Sequence, residues 1–430
     1  MKILFTLESF FPSHRAGTEV YVLNLCRYFK NNGWDVGVLI TTKEQQSDYK
    51  FEEIDIYTFN IPEEPDAREL NGLIAPRGMD SFLIRVKEFC PDVIHFHSFG
   101  RAINSYHLKA VHDLGIKTVF TPHLGGQFCI KGDMRLFNRE NCDGEIIESR
   151  CLNCVLQNKG YKGGVAKGLG EVIAHMSHTP FLKNRLPASF SQAKHRKAEM
   201  KRIDSYADIV FSIAPWIQEA FKANGVNKAK LIPQGISPLF FRERNKTQIL
   251  ENRQEFYHFA FIGRMHPSKG FHLLASIWEQ VSPKSTLHII TNPSGGESDF
   301  FNKHKKWASN TENVIWNEAL SQKEVSDYLD KVDVLILPSI SNEVAPLVIL
   351  EAATRQIPVI GSDYVAIKGM INHNVNGLLF ENGNSKDLLK QIEKIISKEE
   401  ILNNLKNNVG KPKDMNEVAV IVENSILELF

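Results

Sequence analysis

Short apolar runs alternate along most of the chain with longer segments in which apolar residues recur every three or four positions. The short runs predict buried strands, and the longer segments predict amphipathic helices. Their alternation predicts an α/β fold with parallel sheets. In the first half, the predicted strands are Lys2–Leu7, Asp35–Thr41, Val93–His97, Thr118–Thr121, Ile209–Ile213 and Lys230–Pro233.

A polar, aperiodic stretch, Ser237–Glu255, interrupts this alternation, which then begins afresh. The strands predicted after it are His258–Gly263, Thr286–Thr291, Val314–Trp316, Asp333–Leu337 and Pro358–Gly361. Two separate doubly wound halves predict two domains with a cleft between them, where ligands usually bind. We expect domains at 1–236 and 237–412, and a final amphipathic helix within 413–430 that can pack back on the first domain.

Two glutamates, Glu343 and Glu351, lie eight positions apart around a predicted junction of strand, loop and helix. Pro346 suits the first helical position because an N–H there would be unpaired anyway. Free amides at a helix start can hold phosphates, and carboxylates can accept paired hydrogen bonds from vicinal sugar hydroxyls. A nucleotide-sugar offers both groups. The alternative is a strand and helix with one capping and one exposed glutamate.

A second cluster, Gly263, Arg264 and Lys269, follows another predicted strand and opens a predicted helix, Ser268–Val281. Gly263 allows the chain to leave the strand tightly. Two cations beside a helix N-terminus suit a diphosphate, whereas the alternative is two solvated cations on a loop. The Gly-rich stretch Asn292–Glu297 is interpreted as a plain surface turn.

These residues resemble the GT-B-fold glycosyltransferases of the retaining, family-4 type. The matching pieces are Gly263-Arg264 with Lys269-Gly270, Glu343-x7-Glu351, Leu337-Pro338-Ser339, Asn376-Gly377 through Phe380, and Pro12 with Gly17-Thr18-Glu19. The resemblance spans nearly the whole chain, and its motifs are specific for the fold and for a nucleotide-sugar donor. It implies two Rossmann-like domains that face a central cleft. It also implies that a sugar leaves a nucleoside diphosphate with retained configuration.

The resemblance also implies roles for single residues. Arg264 and Lys269 would contact the donor diphosphate, and Glu351 would hold the ribose hydroxyls. Glu343 and the amides after it would face the transferred sugar, and the base would lie near Val314–Glu318. The same loop and helix would contribute Ala345, Leu347 and Val348 to the donor site.

In the first half, Gly17 lies between the first strand and the first helix, and a small residue there lets backbone amides approach a phosphate or acceptor group. Similar enzymes usually carry two glycines, whereas this chain has Ala16 before Gly17. That departure weakens any prediction of a wide amide cradle, and a simple helix entry is the alternative.

His123 follows the strand at 118–121, and in similar enzymes a histidine at this place reaches the transferred sugar. The next residue is Leu124, where an aspartate is common, so no local His–Asp pair is available. A cleft-facing strand end favours a catalytic role for His123. His95 and His97 end a neighbouring strand and are left between structural and functional roles.

Four cysteines, Cys129, Cys142, Cys151 and Cys154, fall within an insert at about 124–203. The C-x-x-C spacing of the last pair is one that structural zinc favours. We therefore expect a structural zinc site, with disulfides, a redox dithiol or unrelated free thiols as alternatives. The remaining two, Cys26 and Cys90, lie in apolar helical contexts and are expected to be core residues.

The same insert is strongly basic. Between residues 155 and 203 it carries ten Lys or Arg residues against Glu171 and Glu199, a net charge of about +8. Apolar and aromatic side chains are interleaved with the cations, as suits an anionic membrane surface or an anionic or polyprenyl-linked acceptor. A solvated helical face is the alternative.

The whole chain has 430 residues and a net charge of +1, which gives no global nucleic-acid signature. No apolar run approaches transmembrane length, so a cytoplasmic location is expected, with possible attachment to the inner face of the membrane. The predicted function is sugar transfer from a nucleotide-sugar to a glycan or lipid-linked glycan. The alternatives are an epimerase or phosphorylase on the same fold, or a non-catalytic, metal-stabilised binding module.

Overall fold

The computed structural model describes residues 1–44, 47–64, 66–70, 74–179, 186–242, 256–292, 298–318, 320–341 and 343–430. Most of the predicted linker and of the Gly-rich turn lie outside these ranges, as do Phe181, Leu182, Lys183 and Arg185 of the basic segment. The chain forms two compact units. The first contains Met1–Pro233 and Met415–Phe430, and the second contains Gln234–Asp414.

The strands of the first unit are β1 (Lys2–Thr6), β2 (Asp35–Thr42), β3 (Tyr49–Phe51), β4 (Ile54–Asn60), β5 (Val93–His97), β6 (Lys117–Thr121), β7 (Arg135–Leu136), β8 (Glu140–Asn141), β9 (Ile209–Ser212) and β10 (Ala229–Leu231). Its helices are α1 (Gly17–Asn31), α2 (Ala67–Leu70), α3 (Met79–Phe89), α4 (Ser105–Asp113), α5 (Glu148–Asn158), α6 (Gly163–His178), α7 (Gln192–Tyr206), α8 (Pro215–Ala223) and, at the chain end, α16 (Met415–Leu427).

Eight strands form the main sheet of this unit in the order β10-β9-β6-β5-β1-β2-β4-β3. All neighbours are parallel except β3 and β4. The strands are almost wholly buried, as expected for a parallel sheet covered on both faces. Strand β1 lies between β5 and β2, and from β1 the later strands are added to the sheet in opposite directions. The loops after β1 and β5 therefore diverge at a topological switch point.

The final helix, α16, belongs to the first unit and packs on α1. The carboxylate of Glu423 accepts hydrogen bonds from the Tyr28 hydroxyl at 2.8 Å and the Trp34 indole N–H at 2.7 Å. Val418, together with its apolar neighbours on the helix, completes the core beneath α1. Helix α16 therefore stabilises the first unit, to which residues 1–233 also belong.

The second unit contains strands β11 (Tyr257–Ile262), β12 (Ser285–Thr291), β13 (Val314–Glu318), β14 (Val334–Leu337), β15 (Val359–Ser362) and β16 (Gly377–Phe380). Its helices are α9 (Phe271–Ala275), α10 (Asp299–Ser309), α11 (Gln322–Tyr328), α12 (Leu347–Ala353), α13 (Val365–Lys368), α14 (Ser385–Ser397) and α15 (Glu399–Asn407). The six strands are all parallel, in the order β13-β12-β11-β14-β15-β16. The predicted fold class, two doubly wound α/β domains, is confirmed.

Two predicted elements differ in detail. The helix predicted over Ser268–Val281 is short in the structure, because a 3-10 turn at Pro267–Lys269 precedes α9 and a second one at Trp278–Gln280 follows it. Pro346 is the N-cap of α12 rather than its first residue, with φ −63° and ψ 111°. An extended ψ at this position delays the helix start by one residue.

Candidate functional site

The predicted donor motifs of the second unit meet at a switch point of its sheet. Strand β11 lies between β12 and β14, and Phe259 of β11 pairs with Val334 of β14. The loops that leave these two neighbouring strands carry Arg264 and Lys269 on one side and Glu343 on the other. Open α/β sheets usually bind ligands outside the carboxyl ends of strands at such a point.

Lys269 and Glu343 contact each other directly. The Nζ atom of Lys269 lies 2.5 Å from Oε1 of Glu343, and the Ser339 hydroxyl donates to the same oxygen at 2.7 Å. The Glu343 and Ser339 side chains are buried and that of Lys269 is largely so. A lysine ammonium has three N–H donors, so this pairing leaves two for a ligand. Sequence reasoning quoted Ser339 only as part of a motif and missed its role in orienting Glu343.

Gly270 allows the loop that carries Arg264 and Lys269 to lie close against the end of β14. Its φ is +68°, and a Cβ atom there would lie 1.9 Å from the Pro338 carbonyl oxygen. The Ile340 N–H donates to the Ser268 carbonyl at 2.9 Å and joins the same two loops. At Gly263, a Cβ atom would meet only the Phe261 ring at 3.8 Å, so the tight exit from the strand leaves room for a side chain there.

Glu351 lies on α12 and is half-buried. Burial raises the pKa of its carboxyl group to about 7. Its side chain makes none of the hydrogen bonds or ion pairs formed among the described residues. A carboxylate that is partly desolvated and uncommitted is suited to accept hydrogen bonds from a ligand.

The other predicted donor residues lie near Lys269, Ser339 or Glu343 in the sequence. Arg264 is exposed, and Ala345, Leu347 and Val348 are half-buried on the loop and first turn of α12. The segment proposed for the base, 314–318, forms the edge strand β13, where Glu318 accepts from the Trp316 indole N–H at 2.6 Å.

Three histidines of the first unit form a buried cluster at the carboxyl ends of β5 and β6. Nδ1 of His97 lies 3.1 Å from Nε2 of His123, and Nε2 of His95 lies 2.8 Å from the Thr121 hydroxyl. The ring of Tyr21 packs on His123 at 4.9 Å between centroids. Burial lowers the pKa of His123 to about 3 and the pKa values of His95 and His97 well below the usual range. All three rings are therefore neutral near pH 7.

One of the backbone amides expected to bind a ligand near Gly17 is already hydrogen-bonded within the protein. Helix α1 begins at Gly17, and the Ala16 N–H donates to the Glu19 carboxylate at 2.9 Å. The other oxygen of Glu19 lies 3.0 Å from Nδ1 of His14. A buried carboxylate thus takes up an amide that an anionic ligand would need, so this loop is a narrower site than two glycines would give.

The structure does not support the predicted zinc site. Among the described residues, no group of three or more His, Cys, Asp or Glu side chains is arranged to hold a metal ion. Cys151 and Cys154 lie within α5, not in the tight turn that a zinc knuckle needs, and the Cys154 sulfur accepts from the Phe137 N–H at 3.2 Å. Every cysteine is a free thiol. Burial raises the pKa of Cys142 to about 11 and that of Cys151 to about 12, so both stay protonated near pH 7.

Two protein families match different parts of the chain. Residues 242–411 match the family described as "Glycosyl transferases group 1", and residues 15–141 match "Glycosyltransferase Family 4". The first match contains Arg264, Lys269 and both glutamates of the motif, and the second contains His123. The two matches and the fold together support a GT-B glycosyltransferase of the family-4 type.

Similar proteins include an uncharacterized glycosyltransferase of Haemophilus influenzae, 26% identical over 43% of this chain and 49% of its own. The amylovoran biosynthesis glycosyltransferase AmsK of Erwinia amylovora is 35% identical over 16% of this chain and 18% of its own. The chain thus spans about half the length, or less, of these curated relatives. Among solved structures, Anabaena HepE in complex with UDP and glucose aligns over the full length of both chains, with a TM-score of 0.63 and a sequence identity of 15%.

Proposed function

We propose that this protein is a retaining glycosyltransferase that moves a sugar from a nucleoside diphosphate to a glycan or lipid-linked glycan, in the synthesis of cell-surface polysaccharide or glycoconjugate. The observation that carries the proposal is the cluster of Lys269, Glu343 and Ser339 at the switch point of the second unit. The family match over the same residues supports a nucleotide-sugar as the donor. Because the structurally similar HepE was crystallised with UDP, UDP is the first nucleotide to test.

Departure of the sugar leaves negative charge on the nucleoside diphosphate. Arg264 and the two free N–H donors of Lys269 stabilise that charge, while Glu343 fixes the direction of the ammonium group. Glu343 also faces the transferred sugar with its second carboxylate oxygen, and Glu351 accepts hydrogen bonds from the ribose hydroxyls. The small residue Gly263 and the half-buried Ala345, Leu347 and Val348 line the donor.

The first unit binds the acceptor, and the loop at Gly17 approaches the donor phosphate or the acceptor. His123 holds a hydroxyl of the reacting sugars through the ring nitrogen that His97 does not occupy. Retention is inferred from the family resemblance alone, and the lack of an evident covalent nucleophile in the sequence fits attack on the same face of the sugar. The free thiols fit a reducing compartment, which supports work in the cytoplasm.

Turnover with a panel of nucleotide-sugars, with and without a lipid-linked glycan acceptor, tests this function. Sugar transfer that requires the acceptor is expected, and NMR of the new anomeric centre reports retention or inversion. Nucleoside diphosphates should raise the melting temperature through binding to the folded state. Epimerised donor without any acceptor, or sugar release that depends on phosphate, would replace the proposal with one of the other enzyme classes.

A further inference from the structure

A groove of about 500 Å³ runs between α5 and α6 in the insert of the first unit. Ligand sites usually have volumes of roughly 300–1,000 Å³. The two helices run antiparallel, because Gly163 at the start of α6 lies beside Gln157 near the end of α5, while Gly170 lies against Ser149 and Asn153. A Cβ atom at Gly170 would lie 2.9 Å from the Asn153 N atom and from the Ser149 carbonyl oxygen. This close approach fixes the spacing of the helices, so the groove is preformed.

Both walls of the groove are polar. The wall from α5 consists of residues that recur every four positions and share one face of the helix, namely Ser149, Asn153 and Gln157. The wall from α6 has the same spacing, with Gly163, Lys167 and Glu171. Helices that pack in water normally turn apolar residues toward each other, so two polar walls that face one groove suit a polar ligand. No helix in the described ranges, these two included, is long and apolar enough to cross a membrane.

Asn153 places an uncommitted hydrogen-bond donor in the groove. The residue is only 9% exposed, and its Oδ1 atom accepts from the Gln157 amide at 3.0 Å. Its own amide N–H groups make none of the hydrogen bonds formed among the described residues, and the same is true of the Ser149 hydroxyl. A nearly buried donor without a partner is favourable only when an acceptor reaches it, and a ligand in the groove would supply one.

The charged groups of the groove are of two kinds. Arg150 is committed to Asp143, whose carboxylate accepts from its two Nη atoms at 2.9 and 2.6 Å. By contrast, Arg139, Lys167 and Glu171 form none of the ion pairs among the described residues. Two cations and one carboxylate are therefore available to a ligand, which leaves the groove with an excess of positive charge.

These groups indicate the chemistry of the ligand. Amide, hydroxyl and carboxylate groups together supply the donors and acceptors that sugar hydroxyls need. The ring of Phe137, which also lines the groove, offers an apolar face, as is usual in sites that hold small molecules by a few polar groups. Arginine and lysine favour a carboxylate or phosphate on the same ligand. An apolar ligand would leave all of these polar groups unpaired.

We propose that the groove between α5 and α6 is an accessory binding site for a saccharide that carries an anionic group. Arg139 and Lys167 bind the anionic group, while Asn153, Ser149 and Glu171 bind sugar hydroxyls. The choice of a saccharide rests on the proposed sugar transfer, since a glycan acceptor is the saccharide that such an enzyme would hold. Both walls lie between residues 141 and 242, outside the two family matches, so this site is separate from the donor motifs.

Calorimetry with the whole chain tests the proposal with two pairs of probes. Trigalacturonate and maltotriose are an acidic and a neutral trisaccharide, and the acidic one should bind at least about tenfold more tightly because charge-assisted hydrogen bonds are the stronger ones. Glucuronate and glucose 6-phosphate form the second pair. The tighter of these two shows whether the anionic group is a carboxylate or a phosphate.

A variant that fills the groove separates this site from any other place where the probes bind. A Cβ atom at Gly163 would meet only the Gln157 amide nitrogen at 3.9 Å, so Gly163→Met fits and narrows the groove. It should bind trigalacturonate at least about tenfold more weakly, with an unchanged or higher melting temperature because methionine favours a helix more than glycine does. The matched control is Gly164→Met, where a Cβ atom would meet nothing within 4 Å, and it should bind like the wild type.

A second variant, Arg139→Glu/Lys167→Glu, tests the two available cations. It should lower the affinity for trigalacturonate by about tenfold or more and leave that for maltotriose unchanged. The control Lys201→Glu/Lys222→Glu changes the net charge by the same amount at exposed positions that do not line the groove, and it should bind both probes like the wild type.

Three outcomes would overturn the proposed site. Trigalacturonate could bind no more tightly than maltotriose, or the wild type and Gly163→Met could bind it equally well. Inorganic phosphate could also bind as tightly as glucose 6-phosphate, which would make the groove a site for anions alone. In each case, a nucleoside diphosphate that still raises the melting temperature leaves the proposed sugar transfer standing, whereas loss of that shift in the wild type would count against the transfer itself.

Discussion

Lys269 and Glu343 lie 74 positions apart in sequence, yet their side chains meet at 2.5 Å where β11 and β14 end side by side. The Ser339 hydroxyl shares the carboxylate oxygen of this ion pair. The contact places a cation and an anion at one edge of the sheet, with the anion fixing where the cation points. The side chains of the two residues therefore form one contact network.

Replacement of either donor-site cation should impair turnover. Lys269→Ala and Arg264→Ala are each expected to lower kcat by about a hundredfold, since each group stabilises charge that grows in the transition state. Steady-state kinetics with the best donor measures this. Lys284→Ala, an exposed lysine at the opposite end of β12, is the matched control and should be unchanged. Near-normal turnover of both variants would reject the diphosphate assignment.

A double-mutant cycle tests whether Glu343 acts through Lys269. If it does, Lys269→Ala/Glu343→Gln should be about as slow as Lys269→Ala alone, because residues in one network are not additive. Fully additive losses would show that Glu343 acts on the transferred sugar independently. The melting temperature of each variant, with and without nucleoside diphosphate, separates loss of binding from loss of folding.

The raised pKa of Glu351 makes nucleotide binding depend on pH. The ionised carboxylate accepts hydrogen bonds from both ribose hydroxyls, whereas the protonated form loses an acceptor. Affinity for nucleoside diphosphate should rise by about tenfold as pH increases through about 7, as a hydrogen bond to a charged group contributes about 1.5–3 kcal/mol. Calorimetry at several pH values measures this, and Glu351→Gln should abolish the dependence. A variant with the wild-type pH profile would contradict the assignment.

The same shift predicts how stability changes with pH. The pKa in the folded protein is higher than the usual value of 4.5, so the folded state binds the proton more tightly. The contribution of Glu351 to the free energy of unfolding is therefore fully present below pH about 4.5 and is lost as pH rises through about 7. Urea unfolding of wild type and Glu351→Gln across this range should show the difference, about 1 kcal/mol or more. The two curves would run parallel if burial did not raise this pKa.

His97 should select the proton position on His123. Both rings are neutral, so one of them donates in the contact between His97 Nδ1 and His123 Nε2. His97 Nε2 is buried without a partner, and an orphaned acceptor is tolerated better than an orphaned N–H. We therefore assign the proton to His97 Nδ1, so that His123 carries its own proton on Nδ1 and offers a donor to a sugar oxygen.

Proton-detected ¹⁵N NMR of the His123 ring measures that tautomer. His97→Leu should mix the two tautomers and lower kcat by about tenfold, less than the complete loss of a positioned donor, because part of the population keeps the correct tautomer. His97→Asn, whose side-chain amide lies at the same number of bonds as Nδ1, should restore most of the rate. Protonation of His123 at Nε2 in the wild type would show the assignment to be reversed.

Gly270 and Gly263 form a matched pair for a test of loop geometry. Gly270→Ala should lower the free energy of unfolding by about 2 kcal/mol or more, because φ is positive and the new Cβ atom meets the Pro338 carbonyl. Gly263→Ala should change it by less than about 0.5 kcal/mol, as an alanine fits there. Denaturant unfolding compares them, and equal losses would mean that the loop does not need the glycine at 270.

The sequence by itself determined the class of fold and the candidate residues of a donor site. Short apolar runs that alternate with amphipathic segments commit the backbone to a parallel α/β arrangement, since each strand needs both faces covered. The candidate residues Arg264, Lys269 and Glu343 lie on loops that follow strands, and Glu351 lies on the helix after the second of these loops. Such local patterns can be recognised without knowing the order of the strands in the sheet.

Only the tertiary structure decided which side chains meet. The Lys269–Glu343 and His97–His123 contacts depend on strand neighbours that lie far apart in the chain, and hydrophobic periodicity does not specify neighbours. The cysteine spacing predicted a metal site because it fits a tight turn, but α5 continues through Cys151 and Cys154 and gives the two sulfurs a different geometry.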